Sequence, residues 1–338
     1  MKGGRRARGA LALCLALLCL TSCARLLERE YTQVVEHIED MPLLEDTAYR
    51  VDTYPSLRGA MLAYVEEGLD EGLLRCPTTY PGNLSVDLEK ARRQLLEEDP
   101  LGNYALVDVQ FSVSRIIAYY EVELDFTYRV DRREVAQMPR ASTRQALAQT
   151  LSKTLYDRGE RACVYLTAYP QEDERFFVDA LREAYGIRAD TLARPTMTVR
   201  LYPEGGEQRR VAEVELDYGD LADLEYRQER LNEALELFLG SEGRSDAQTL
   251  FDRLKGQCHL SQYAGSTAYE ALVENRADRE GMCLAYAALC QHEGMESRVV
   301  WTPQGCYVAL VLQPGEEEVY LDMTASRFAP LEQLSFQE

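Results

Sequence analysis

Apolar and polar positions change period several times along this chain, and each change marks an element. Alternation over Ala48 to Thr53 predicts a strand. Leu57, Met61, Tyr64, Val65 and Leu69 then share one helical face, so a helix is expected from Ser56, its cap, to Glu71. Gly72 to Cys76 returns to a strand pattern. Val86 to Glu98 reads as a second helix closed by Pro100, and Val107 to Val113 and Ile117 to Tyr128 alternate as paired strands.

The same order recurs. Ser142 to Tyr156 reads as a helix, Ala162 to Thr167 as a strand, and Phe176 to Tyr185 as a helix closed by Gly186. Thr196 to Tyr202 and Arg210 to Tyr218 then form a hairpin around Pro203-Glu204-Gly205-Gly206-Glu207. Local matches accompany the order: Tyr80-Pro81 with Tyr169-Pro170, Glu123-Leu124-Asp125-Phe126 with Glu215-Leu216-Asp217-Tyr218, and Cys76 with Cys163. Near-constant offsets across changing sequence mark an internal repeat. The expectation is an α+β chain with two strand-helix-strand-helix-hairpin modules, 47–135 and 136–225, each with helices on one face of a mixed sheet. Neither carries a phosphate loop, metal spacing or nucleophile elbow, so Cys76 and Cys163 read as core thiols.

The remaining stretch, 226–338, opens with two amphipathic helices, Tyr226 to Leu239 ending at Gly240 and Ser245 to Leu254 capped by Ser245. Three runs follow: Thr267-Ala268-Tyr269-Glu270-Ala271-Leu272, Gly281-Met282-Cys283-Leu284-Ala285-Tyr286-Ala287, and Gly294-Met295-Glu296-Ser297-Arg298-Val299. A cysteine at the first turn of a helix sits in the positive end of the macrodipole, which favours thiolate. Cys283, ahead of a helix expected from Leu284 to His292, has that context; Cys290, inside the helix, reads as a structural thiol.

In type, order and spacing these runs resemble the transglutaminase-like, papain-like cysteine superfamily of bacterial surface proteins. The resemblance implies a papain-like core with Cys283 at the nucleophile position. It places a histidine on the next strand as base and an aspartate on the following strand to orient it. Val319-Tyr320-Leu321-Asp322-Met323-Thr324 resembles the aspartate strand, so Asp322 keeps the orienting position. Cys306 stands where the histidine belongs, and Ala309 stands at the family's asparagine position. The family geometry would bring Cys283 and Cys306 close, as a possible disulfide.

The beginning of the chain adds an address. Lys2, Arg5, Arg6 and Arg8 precede an uncharged apolar run from Ala10 to Leu20, too short to span a bilayer and suited to a signal-peptide core. Leu20-Thr21-Ser22-Cys23 resembles the lipobox of bacterial lipoproteins. That resemblance implies a signal over 1–22, lipid on Cys23, a tether over 23–46 with a short strand near Tyr31 to Val35, and an extracytoplasmic, membrane-anchored location. Loss of the four basic residues would take the formal charge from −20 to −24, which argues against nucleic acid. The three histidines, His37, His259 and His292, are too few and too scattered for a Cys/His metal site, and no cofactor is expected.

Three functions are compatible with these residues. The first is a catalytically silent transglutaminase-like lipoprotein that binds an extended peptide or a cell-surface protein. The second is a cysteine peptidase or acyltransferase in which Cys283 uses an unrecognised base. The third is a redox switch built on Cys283 and Cys306. Without imidazole a thiol at its free pKa is only a few per cent ionised near neutral pH, which favours the first.

Overall fold

The computed structural model describes residues 48–171, 173–205, 208–240 and 245–334. The expected signal, Cys23, the tether and its short strand lie outside these residues. The described chain is mixed α+β, and none of its helices is long and apolar enough to cross a membrane.

The first sheet grows from β1 (Ala48–Arg50), α1 (Tyr54–Glu66), β2 (Glu71–Pro77), α2 (Leu84–Glu97), α3 (Pro100–Ala105), β3 (Leu106–Arg115) and β4 (Tyr119–Tyr128). Its strand order is β1-β2-β4-β3, with β1 parallel to β2 and the other pairs antiparallel. Two expected boundaries are corrected. Thr53, not Ser56, caps α1, and Ser56 closes a reciprocal capping box from the third helical position. The helix stops at Glu66, ahead of Gly68 at φ +68°, so Leu69 falls outside it and is exposed. Pro100 does not merely close α2. It opens α3, where its missing N–H costs nothing and the buried Asp99 carboxylate accepts from the Leu101 and Gly102 amides.

The second sheet follows α4 (Arg132–Ala136) and is built from β5 (Arg140–Ala141), α5 (Arg144–Tyr156), β6 (Arg161–Leu166), α6 (Phe176–Ile187), β7 (Thr196–Tyr202) and β8 (Arg210–Asp217). Its order, β5-β6-β8-β7, and its pattern of one parallel and two antiparallel pairs match the first sheet. One face of this sheet, with Val164, Leu166, Ala212, Val214 and Leu216, packs on α5 and α6. The alternate residues Tyr165 and Val211 join the core of the first module instead.

A polar knot lies at that junction. Tyr104 of α3 accepts from Arg161, whose guanidinium also donates to Glu134 and Glu213. Tyr202 donates to Glu213 and packs edge-on against Tyr104. Cys163 is not a core thiol of its own module. Its sulfur lies 3.0 Å from the Tyr104 hydroxyl in this knot, and burial pushes the thiol up to about 12. Cys76 does lie in an apolar core.

The last part comprises α7 (Leu221–Leu239), α8 (Ala247–Gln257), β9 (His259–Leu260), α9 (Ala268–Leu272), β10 (Arg276–Ala277), α10 (Arg279–His292), β11 (Ser297–Thr302), β12 (Gly305–Leu310) and β13 (Val319–Leu321). Asp246, not Ser245, caps α8 by accepting from the Thr249 amide. β9 and β10 form a small parallel pair, and β11, β12 and β13 form an antiparallel sheet in that order. Gly186 does not end α6, which runs on to Ile187. A side chain at Gly186 would start 2.4 Å from the Val299 carbonyl and 2.7 Å from the Trp301 ring. Glycine there lets α6 press on the outer edge of β11, which blunts an otherwise open strand.

The knot predicts unequal costs for two arginines. Arg161→Ala leaves the Glu213 carboxylate, almost fully buried, short of its nearer charged partner, with Arg200 at 3.9 Å, and should destabilise the chain by about 1–3 kcal/mol. Arg175→Ala removes only an exposed pair with Asp179 and should cost less than about 0.5 kcal/mol. Denaturant midpoints of the two variants against wild type check this, and equal shifts would remove the knot from the account of stability.

Candidate functional site

The centre of the third part is α10. Gly281 through Cys290 are all buried, so this helix is apolar on every side rather than on one stripe. It packs against α8, α9, β11 and β12. Tyr286 inserts between elements, donating to the Ala247 carbonyl and meeting Phe251 edge-on.

The helix begins five residues before the expected start. Asp278 caps it by accepting from the Gly281 amide, and Ser266 donates to Asp278. Cys283 is therefore the fifth helical residue, beyond the first turn where the macrodipole acts most strongly. It is fully buried. Burial, then the neighbouring Cys306, drives its thiol well above the ordinary cysteine range, and Arg279 opposes this only in part. The expected activation of Cys283 is thus reversed: desolvation of the thiolate outweighs the favourable field. Cys290 lies deeper in the same helix, and burial pushes its thiol up to about 12.

Cys283 and Cys306 do come together. The Cys283 thiol donates to the Cys306 carbonyl at 3.6 Å. Both are free thiols, so the disulfide is not formed. Asp322 also reaches this place, but its partner is a cation rather than an imidazole. Arg279 Nη2 lies 3.2 Å from Asp322 Oδ2. Arg279 Nε donates to the Cys306 carbonyl and Nη1 to the Gln304 carbonyl, both at 3.0 Å, while its guanidinium carbon sits 4.7 Å from the Tyr307 ring centroid. Gly305 makes room for this side chain. Its φ is +131°, and a Cβ there would start 2.4 Å from Arg279 Nη1. Asp322 is further tied by the Thr324 amide and hydroxyl.

His37 lies outside the described residues, and the two described imidazoles are elsewhere. His259 is an exposed residue of β9, and its amide donates to the Asn275 carbonyl. His292 ends α10, nine residues on from Cys283 or roughly 13 Å along the axis, and lies 3.8 Å from Asp190. Among the described residues no group of three or more His, Cys, Asp or Glu is placed to hold a metal ion.

Arg279 is the residue that sequence reasoning passed over. Its signal was Asp278-Arg279-Glu280 ahead of Gly281, a cap and an acidic first turn that should have moved the helix start upstream. A groove of about 1040 Å³ lies on the far side of β11, between it and α5 and α6. Trp301, Arg144, Arg182 and Arg298 line it, with carboxylates of Glu183 and Glu318 paired to two of these arginines. No protein-family model matches this chain, and no curated protein matches it significantly.

The short helix α9 that leans on α10 is held by Glu270. Burial favours the neutral carboxyl, but bonds from the Thr267 hydroxyl and amide, with Arg227 nearby, outweigh burial and leave its pKa below the ordinary value of 4.5. A depressed carboxyl contributes stability that is whole above 4.5 and is lost as pH falls through the lower folded value. Glu270→Gln keeps the cap but does not titrate. Wild type should therefore lose more stability than Glu270→Gln as pH falls below about 4.5. Parallel acid-titrated unfolding curves would sink this.

Proposed function

We propose that this chain is a surface-anchored lipoprotein with two duplicated α+β modules and a transglutaminase-like, papain-like domain that serves binding or scaffolding and not catalysis. The duplication is supported by the matching strand order of the two four-stranded sheets and by the near-constant sequence offsets. The papain-like reading is supported by a buried cysteine helix laid on an antiparallel sheet whose outer strand is followed by Asp322. The anchor rests on the Leu20-Thr21-Ser22-Cys23 tetrad and the segment before it.

One observation carries the silent reading. Asp322, at the orienting position, is paired with Arg279, and the guanidinium is bound to the two carbonyls that border the cysteine pair. An arginine stays protonated at any working pH and cannot serve as a general base. The neighbouring thiol is desolvated and held neutral. Among the described residues no imidazole or carboxylate bonds to Cys283, and a nucleophile without a base in hydrogen-bond reach lacks the pair that acyl transfer requires.

What is left to the domain is contact through its surface. The groove beside β11, with an indole and paired charges, has the composition of a binding surface for an extended peptide or a cell-surface protein.

Alkylation of the native full chain tests the silence. With iodoacetamide at neutral pH, Cys283 should stay unmodified in the folded protein and react once the chain is unfolded, read by peptide mass. Rapid stoichiometric labelling at Cys283, lost in Cys283→Ala and kept in Cys290→Ala, would establish a cysteine enzyme instead.

A further inference from the structure

The first module ends in a feature that its own packing does not explain. β3 and β4 pair as far as Arg115 and Tyr120, and the Ile116 amide donates to the Tyr119 carbonyl at 2.8 Å. The two residues at the turn are Ile117 and Ala118. Ile117 is 100% exposed and Ile116 38%. Two-residue hairpin turns favour Asn-Gly, Asp-Gly or Gly-x, because their backbone needs positive φ and their side chains face water. Neither Ile117 nor Ala118 takes a positive φ, so it is the second demand that is broken: an apolar, β-branched side chain faces water. The connection in the equivalent place, between β7 and β8, is longer, from Pro203 to Arg209, and its sequence carries no large apolar residue. The departure is thus confined to one of two hairpins of like topology.

Residues behind the apex are graded. Arg115 is exposed, while Tyr119 and Tyr120 are half-buried shoulders, with the Arg75 guanidinium 5.6 Å from the Tyr119 ring centroid. An apolar apex backed by tyrosine and arginine follows the depth order of a bilayer interface, where amphipathic rings and long cationic side chains sit at headgroup level. The exposed apolar apex is two residues, whereas protein partners usually bury a broad patch around a central anchor.

We propose that the β3–β4 tip, with Ile116 and Ile117 leading, inserts into the headgroup and upper acyl region of a lipid bilayer. The proposal rests on the lipid-anchor reading for bringing the chain to the membrane, and the distances agree. Leu73, partner of Ala48, is also paired with Glu123, and the six residues from there to Ile117 span roughly 20 Å. The 25 residues from Cys23 to Ala48 reach at most on the order of 80 Å, ample to let the tip turn to the surface that holds the lipid. Because the chain is acidic, apolar insertion and not attraction to anionic lipid drives the contact.

Ile117→Trp in the full lipidated chain provides the probe, with wild type, whose single tryptophan is Trp301, as the baseline. On vesicles of dibrominated phosphatidylcholine the added emission should shift to the blue and lose intensity relative to unbrominated vesicles. Emission that stays solvent-like and unquenched while the chain floats with the vesicles overturns the tip proposal and leaves the anchor standing. If wild type does not float, the anchor reading fails, and the variant is then held on the same vesicles by a C-terminal hexahistidine tag and a nickel-chelating lipid. Quenching there supports insertion, and its absence overturns it. In the Cys23→Ser chain, Ile117→Asp should lower lipid partition about tenfold or more, the effect of losing one buried isoleucine; an unchanged partition counts against insertion. Shielding of residue 117 by cell-envelope protein but not by lipid would assign the tip to a protein partner and overturn the proposal.

Discussion

A cation stands at the wrong end of a buried helix, and the rest of the C-terminal part is arranged around it. Arg279 is the first residue of α10, where the macrodipole is positive and an arginine is unfavourable. It is kept there by Asp322, by the Gln304 carbonyl of the β11–β12 turn and the Cys306 carbonyl of β12, and by the face of Tyr307. These contacts tie three separate stretches together: the start of α10, the turn before β12 and the residues after β13. Gly305 is the backbone concession that makes the fit possible.

The same contacts decide the chemistry. A helix N-terminus typically favours a negative group by 0.3–1 kcal/mol when exposed and by up to about 2 kcal/mol in partly buried geometries. Full burial of an ionisable group moves its pKa by as much as three to five units, at about 1.4 kcal/mol each. Cys283 is a turn too deep for the first effect and wholly subject to the second. Arg279 offers a compensating charge, but that charge is already shared with Asp322. The arrangement that would make a thiolate in an exposed site here makes a packed thiol beside another.

Much of this was legible in the order of residues. Alternation located β2, β3, β4, β6, β7 and β8 to within a few positions, because each of these strands has one face in a core. Helix starts were less legible, since Ser56, Ser142 and Ser245 compete as caps with Thr53, Thr143 and Asp246, and only the local backbone decides between them. Gly186 was misread because a glycine inside a helix looks like a stop until the strand it makes room for is known. At the site, Cys283, Cys306 and Asp322 lie around Arg279, which the sequence reading did not include. Its contacts are to backbone carbonyls 25 and 27 residues away, and nothing in a linear pattern announces an acceptor of that kind.

The two modules share a strand order but not a fate, and the difference is written in their alternate residues. On β6 and β8 the positions facing away from the module's own helices are Cys163, Tyr165, Val211 and Glu213, which enter the junction with α3. On β2 and β4 the like positions are Leu73, Arg75, Glu121, Glu123 and Asp125, mostly charged, with Arg75 paired to Glu121 and with Glu123 and Asp125 exposed. Among the described residues one sheet is thus finished by a neighbour and the other is not. Charge keeps that face in water, and the apolar turn two residues beyond the Pro77–Tyr119 pair is exposed with it.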